Sequence, residues 1–517
     1  MTRILTLAPP AERGVSSEIA LGNAQHIVEW LQRELAEPAD LVVLPLGCLS
    51  GGAGFPSREV AGTALAMLQE VARGSQCALA GADHFGGIAC GFIFGPGTQQ
   101  AVWQKSLAVA DREPQDVAVI DTKCGTLACL PGPDLLHAEY ARLAVFKGAE
   151  ILLNPTAERL DERSAARHLS RGARAWENHA AVVTVSRDPA LHEIWNHSGH
   201  LLVAGGAPAA RATLDLPSLR ARRLEPWVNF PAQLRTGLYA VEYARGETVP
   251  RVETGPRVNT SPADSPAVEA YDVLLMQTHQ AFVSSPETRD ATVADNLKRA
   301  LGLARLFAMR PSTRLVVFPE FFLQGSDGSH PHEYWERCGV RIPGPETAEL
   351  AAFAKACNVY VCGALLEYDP SWPRRYFNTS IIIDPQGEIV LRYRKLQCAD
   401  LNGLLNITTP GNLYSAYVER YGIDALVPVI DTPIGRLGTL ICFDSNWPEL
   451  WRALALRGAE VICNPTSEIH SNRRPYWYQA KRAHAAEQMV YVASANAGSE
   501  QFFAGAPVTG MNRGHSA

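Results

Sequence analysis

The chain is written twice. Residues 119–158, VIDTKCGTLACLPGPDLLHAEYARLAVFKGAEILLNPTAE, align without a gap on residues 429–468, VIDTPIGRLGTLICFDSNWPELWRALALRGAEVICNPTSE, at a constant offset of 310. The same offset carries Glu177 of ARAWEN onto Glu487 of AHAAEQ, and DLVVLPL at 40–46 is matched by RLVVFPE at 314–320. Each copy must bury its own apolar faces, so two domains related by duplication are expected. Length agrees, because 517 residues exceed one compact core at roughly 150 residues per domain. The expected limits are a first domain at 1–248, a linker at 249–269 and a second domain at 270–517. The stretch 246–268 is rich in Pro, Thr, Ser and Gly and has no apolar periodicity, which is linker composition.

Within each copy, short β-branched runs alternate with amphipathic stretches. In the second copy LVVF (315–318), VYVCGAL (359–365), SIIID (380–384) and LGTLI (437–441) predict strands. PELWRALALRG (448–458) predicts a helix that opens on Pro448, carries Leu450 and Leu454 at helical spacing and stops at Gly458. EVICNP reads as the next strand. This order defines an α/β (α+β layered) class and leaves the topology open.

Apolar residues make up 47% and charged residues 19%, as in folded soluble domains. With a formal net charge of −6 and no Lys/Arg-rich stripe, the expectation is no nucleic-acid partner and no anionic-membrane partner. The 11 cysteines include no CxxC pair, which suits a reducing compartment and thiols that mostly serve as small buried hydrophobes. No apolar window reaches transmembrane length and MTRILTLAPPAERG lacks a signal-peptide core, so a cytoplasmic enzyme is expected.

Three residues of the second copy stand where chemistry is plausible. Cys442 lies between the strand LGTLI and the helix opening at Pro448, where unpaired N–H groups and the helix dipole favour thiolate. Glu320 follows the strand LVVF among Phe318, Phe321 and Phe322, where desolvation raises a carboxyl toward general-base range. Lys395 ends LRYRK after the turn DPQGE. Taken singly, a buried structural thiol explains Cys442 equally well, and a loop glutamate and a solvated strand-end lysine are the commoner explanations of the other two.

Their joint pattern resembles the nitrilase superfamily of carbon–nitrogen hydrolases, over roughly residues 270 to 517. The matching motifs are VFPEFF, YRK, LICFDSNWPE and GAEVICNPT, with RAHAAEQ and SANAG as later landmarks. Glu320 to Lys395 spans 75 residues and Lys395 to Cys442 spans 47. The resemblance implies two tandem αββα-sandwich domains and a cysteine hydrolase that needs no cofactor and no metal. It implies Cys442 as nucleophile, Glu320 as base, and Lys395 with the backbone N–H of Phe443 as the oxyanion site. The family often has a second glutamate between lysine and cysteine. Glu419, 23 residues before Cys442, is the candidate, with Asn402 near the place where some amidases use glutamate. Cys442-Phe443-Asp444 looks more like the amidase and N-carbamoyl-amidohydrolase branches than the nitrile-cleaving ones.

The first copy departs from the pattern. Leu46 aligns with Glu320, Ser106 with Lys395, and Gly132 with Cys442, while Cys129 falls opposite Thr439. Ser106 to Asp121 spans 15 residues where Lys395 to Asp431 spans 36, so the first copy is expected to be a degenerate, catalytically inactive domain. The second copy ends soon after SANAG, which suggests a domain truncated at its C-terminus. His330 and His332 lack a third metal ligand nearby, and GCLSGGAGFP (47–56) lacks the GKS/T of a phosphate loop.

The expected function is hydrolysis of a small amide or carbamoyl substrate to an acid and ammonia or an amine by the second copy. A nitrilase, an acyltransferase working through the same thioester, and a scaffold role for the first copy are the alternatives. Family members usually pair, so intramolecular pairing of the two domains is expected, with a homo-oligomer as a further possibility.

Overall fold

The computed structural model describes residues 1–95, 102–106, 116–225, 230–234, 268–325, 330–399, 407–468 and 476–498. Most of the expected linker, Asn402 and the C-terminal residues 499–517 lie outside them, so the expected truncation falls there too. The chain divides into two compact units, Met1–Gln233 and Leu234–Ala517.

The first unit holds two six-stranded sheets. Its strands are β1 (Thr2–Leu7), β2 (Leu41–Leu46), β3 (Ala78–Phe85), β4 (Ile88–Phe94), β5 (Val102–Lys105) and β6 (Val119–Thr122). They continue with β7 (Gly125–Cys129), β8 (Ile151–Thr156), β9 (Ala181–Ser186), β10 (Glu193–Trp195), β11 (Leu201–Ala204) and β12 (Ala209–Leu214). One sheet runs β12-β1-β2-β3-β4-β5 and the other β11-β10-β9-β8-β7-β6.

Period-2 alternation sorts the side chains into layers. Leu41 and Val43 of β2 pack in one cluster with Leu127, Cys129, Ile151 and Val183 of the other sheet. Val42 and Leu44 face the opposite way, onto Ile27, Leu31, Ala64 and Leu68 of two helices. Across the second sheet, Ala128, Leu152 and Val182 meet Ala141, Ala144 and Ala175 of two more. The layers are therefore helix, sheet, sheet, helix, which is why the central parallel strands read as continuous apolar runs. Ser16 and Ser57 start the first two helices, each hydroxyl accepting the N–H three residues on.

The second unit has β13 (Asp272–Leu275), β14 (Thr313–Val317), β15 (Tyr360–Glu367), β16 (Phe377–Ile383) and β17 (Ile389–Arg394) in one sheet, in that order. β18 (Val429–Ile430), β19 (Leu437–Thr439), β20 (Val461–Thr466) and β21 (Tyr491–Asn496) form another. β13, β14 and β15 are parallel and β16 and β17 antiparallel, as are β1 to β5 in their sheet. Val316, Phe318, Val361, Ile381 and Ile383 pack on the helices, through Leu297, Leu301, Leu350 and Phe353. Polar contacts join the two sheets, with the Ser380 hydroxyl 2.9 Å from that of Thr439.

Several elements repeat residue for residue. The helices Ala138–Phe146 and Pro448–Leu456 stand at the offset of the sequence repeat, as do β8 and β20, β9 and β21, and the 3-10 turns Gly132–Leu136 and Cys442–Asn446. An asparagine clamp also recurs. Asn23 binds the N–H and carbonyl of Glu12 and the carbonyl of Leu49, at 2.8, 2.9 and 2.7 Å. Asn296 binds the N–H and carbonyl of Ala281 and the carbonyl of Leu323, at 2.9, 2.7 and 2.9 Å. The second clamp secures the loop that carries Glu320. Asn296→Ala would strand these buried backbone groups, so chemical denaturation should show a loss of about 2–3 kcal/mol. Full stability in that variant would show that the clamp is not needed.

Candidate active site

Glu320 lies just past β14 and is 1% exposed. Its backbone is held on both sides: the carbonyl accepts from the Gln280 amide at 2.8 Å, and the N–H reaches the Thr466 carbonyl at 3.4 Å. Oε1 accepts from Lys395 Nζ at 2.7 Å and from Asn378 Nδ2 at 2.6 Å. Lys395 is the first residue beyond β17, and its N–H donates to the Asn378 carbonyl at 2.9 Å. Asn378 of β16 thus fixes both members of the ion pair, one by its side chain and one by its backbone. Burial is the largest single influence on Lys395 and opposes its ammonium form, but the negative groups around it, Glu320 first and then Cys442, Cys398 and Asp444, together hold the lysine above its ordinary range.

Cys442 opens the 3-10 turn that follows β19, with φ at 44°. A side chain in this left-handed region is strained by about 1–2 kcal/mol, and the turn imposes it. The Ser445 hydroxyl closes the turn by donating to the Cys442 carbonyl at 2.7 Å. Burial pushes the thiol well up, as does the charge of Glu320. Lys395 and a backbone hydrogen bond from Ser467 act the other way. The expectation of a thiolate stabilised by a helix end is therefore corrected. The α-helix begins only at Pro448, and burial, the largest influence on this sulfur, works against the thiolate.

Glu320, Lys395 and Cys442 come together, and Phe443 follows in the same turn with its ring edge-on to Trp447. Glu419 does not join them. It is exposed on the helix Tyr414–Tyr421, whose other face turns Tyr417 and Tyr421 toward the Arg394 guanidinium. His330 stacks on Tyr334 and His332 lies edge-on to Tyr376, so both belong to an aromatic cluster. The glycine-rich loop after β2 is tied down by Asp83, which accepts from the N–H groups of Leu49 and Ser50.

Sequence reasoning missed Asn378, for which a single sequence carries no motif. It also missed Glu468, which pairs with Lys481 at 2.7 Å and lies close enough for its charge to raise the Cys442 thiol. A signal for Glu468 was present: NPTSE repeats NPTAE, and Glu158 with Arg171 forms the corresponding pair in the first unit.

In the first unit the same backbone carries different side chains. Gly132 has φ at 58°, and a Cβ placed there would meet Leu46 Cδ2 at 3.8 Å. The Ser106 N–H donates to the Ala89 carbonyl at 2.8 Å, as that of Lys395 does to Asn378. Cys129 is fully buried, and burial pushes its thiol far up.

Residues 275–517 match the sequence model of the carbon–nitrogen hydrolase family. Relatives include the omega-amidase NIT2 of Bos taurus, 29% identical over 39% of this chain and 69% of that one. A formamidase of Bacillus cereus is 34% identical over 36% of this chain and 51% of its own length. Among solved structures, Saccharomyces cerevisiae Nit3, a member of the nitrilase superfamily, is similar at 23% identity and a TM-score of 0.37, covering 47% of this chain and 80% of that one. The match to the carbon–nitrogen hydrolase family falls wholly within the second unit. That unit is thus a carbon–nitrogen hydrolase, of the enzyme class that cleaves bonds between carbon and nitrogen. No helix among the described residues is long and apolar enough to cross a membrane.

The ion pair gives a stability test. Lys395→Met leaves Glu320 buried without its countercharge and should cost about 3–5 kcal/mol. Adding Glu320→Gln should restore much of that loss. A double-mutant cycle by denaturation measures the coupling, and additive losses would show that the pair does not interact.

Proposed function

We propose that the second unit hydrolyses a small amide or carbamoyl compound through an acyl-thioester on Cys442. The observation that carries the reading is a buried carboxylate–ammonium pair, 2.7 Å apart, whose charges both act on the Cys442 sulfur. Glu320 takes the thiol proton as sulfur attacks the carbonyl carbon. The negative charge that develops on oxygen faces the Lys395 ammonium and the Phe443 N–H. Glu320 returns the proton to the departing nitrogen, and the carbon–nitrogen bond breaks to release ammonia or an amine. Glu320 then removes a proton from water, which attacks the thioester. Sulfur leaves, regains its proton, and the acid departs. The net reaction adds one water across one carbon–nitrogen bond.

The amide-cleaving relatives and the Cys-Phe-Asp sequence favour amides over nitriles. The first unit is read as a duplicate without catalysis. Leu46, Ala89, Ser106 and Gly132 stand where Glu320, Asn378, Lys395 and Cys442 stand in the second, and none supplies a base or nucleophile.

Ammonia release from a panel of amides, carbamoyl compounds and nitriles identifies the substrate class. Cys442→Ala should then abolish turnover, while Cys129→Ala leaves it nearly intact; equal losses in folded variants would restore the first unit as a working site. With the best substrate, rapid quenching and intact-protein mass spectrometry should place an acyl adduct on Cys442. Glu320→Gln should accumulate that adduct or block its formation. An adduct mapped elsewhere overturns the mechanism.

A further inference from the structure

Asp444 takes no part in the steps above, yet it is fully buried two residues after the nucleophile. Its Oδ1 accepts the Gln397 N–H at 2.8 Å, and its Oδ2 accepts the Tyr393 hydroxyl at 2.7 Å and the Ile441 N–H at 3.0 Å. Tyr393 and Gln397 flank Lys395 by two residues on either side, and Ile441 directly precedes Cys442. One carboxylate therefore joins the segment carrying the ammonium to the segment carrying the sulfur. These segments belong to different sheets.

We propose that Asp444 is a positioning residue, whose ionised carboxylate holds Lys395 and Cys442 in register for attack. The inference rests on the assignment of those two residues to catalysis. The ionised form is needed because three donors converge on it. A protonated carboxyl must turn its own O–H toward one of them and lose that bond. The first unit keeps the acceptor without the chemistry: Asp134 aligns with Asp444 and accepts the hydroxyl of Ser106, the residue in the lysine position, at 2.8 Å.

Burial pushes Asp444 up to about 6, against the Lys395 charge and the three donors. The titratable groups that act on it are Lys395 and Tyr393, both from the lysine segment. A folded-state pKa above the ordinary aspartate value of 3.8 means that this group's contribution to stability is present at low pH and is lost as pH rises through about 6. Activity runs the other way, falling as pH drops through about 6. General acid unfolding would lower both together.

The experiment measures kcat and KM against pH for the full chain on its best amide substrate. The wild type should show an acid limb in kcat near 6. Asp444→Asn should lower kcat about 10-fold at neutral pH, leave KM within about 2-fold and lose that limb. Tyr393→Phe keeps the ring and removes one donor, so its limb should move upward, and this variant decides the matter if Asp444→Asn fails to fold. An unmoved limb in the folded variants, or a loss confined to KM, overturns the role of Asp444. Cys442→Ala is assayed in parallel. Turnover surviving there sinks the catalytic assignment itself, whereas a dead Cys442→Ala beside unmoved limbs sinks only the positioning role.

Discussion

The second unit is organised around the ion pair of Glu320 and Lys395. Removing two charges from water costs several kcal/mol each, and their attraction repays that only where the geometry is good and the remaining polar atoms are satisfied. Such a pair is poor value as a source of stability, so its presence points to chemistry. The sheet order explains how it forms. β15 and β16 lie between β14 and β17, a separation of about 14 Å at usual strand spacing. Two long side chains span it from the strand ends, and Asn378 on β16 steadies both.

Much of this was legible in the sequence because the chain repeats. The runs predicted as strands became β14, β15, β16, β19 and β20, and the helix opened at Pro448. Motif order led to the residues that the structure groups. Distances along the chain failed where the face of an element decides the outcome. Glu419 had a plausible spacing but sits on the solvent side of a two-turn helix, a matter of a few helical positions. Asp444 was read as a marker of substrate class, since its three donors come together only once two sheets are stacked. The thiol was read from its place near a helix, whereas its burial depends on packing that no local window contains.

The repeat also held a clue to backbone conformation. A glycine opposite a cysteine in otherwise ungapped copies marks a position that disfavours side chains, and both residues proved to be left-handed. Reading a repeat for such mismatches locates strained positions without coordinates. Conformation is retained more faithfully than side-chain identity here, as the turns beginning at Gly132 and Cys442 show.

That turn sets a direction for change in the first unit. Glycine occupies its conformation freely, while a cysteine there bears a strain that only catalysis would reward. With leucine and serine in the places of the carboxylate and the ammonium, a cysteine at Gly132 would add strain with no base and no ammonium beside it. Several substitutions would have to arrive together before any became useful. On the reading of the first unit proposed above, each single substitution toward the second unit's site adds strain before it adds chemistry.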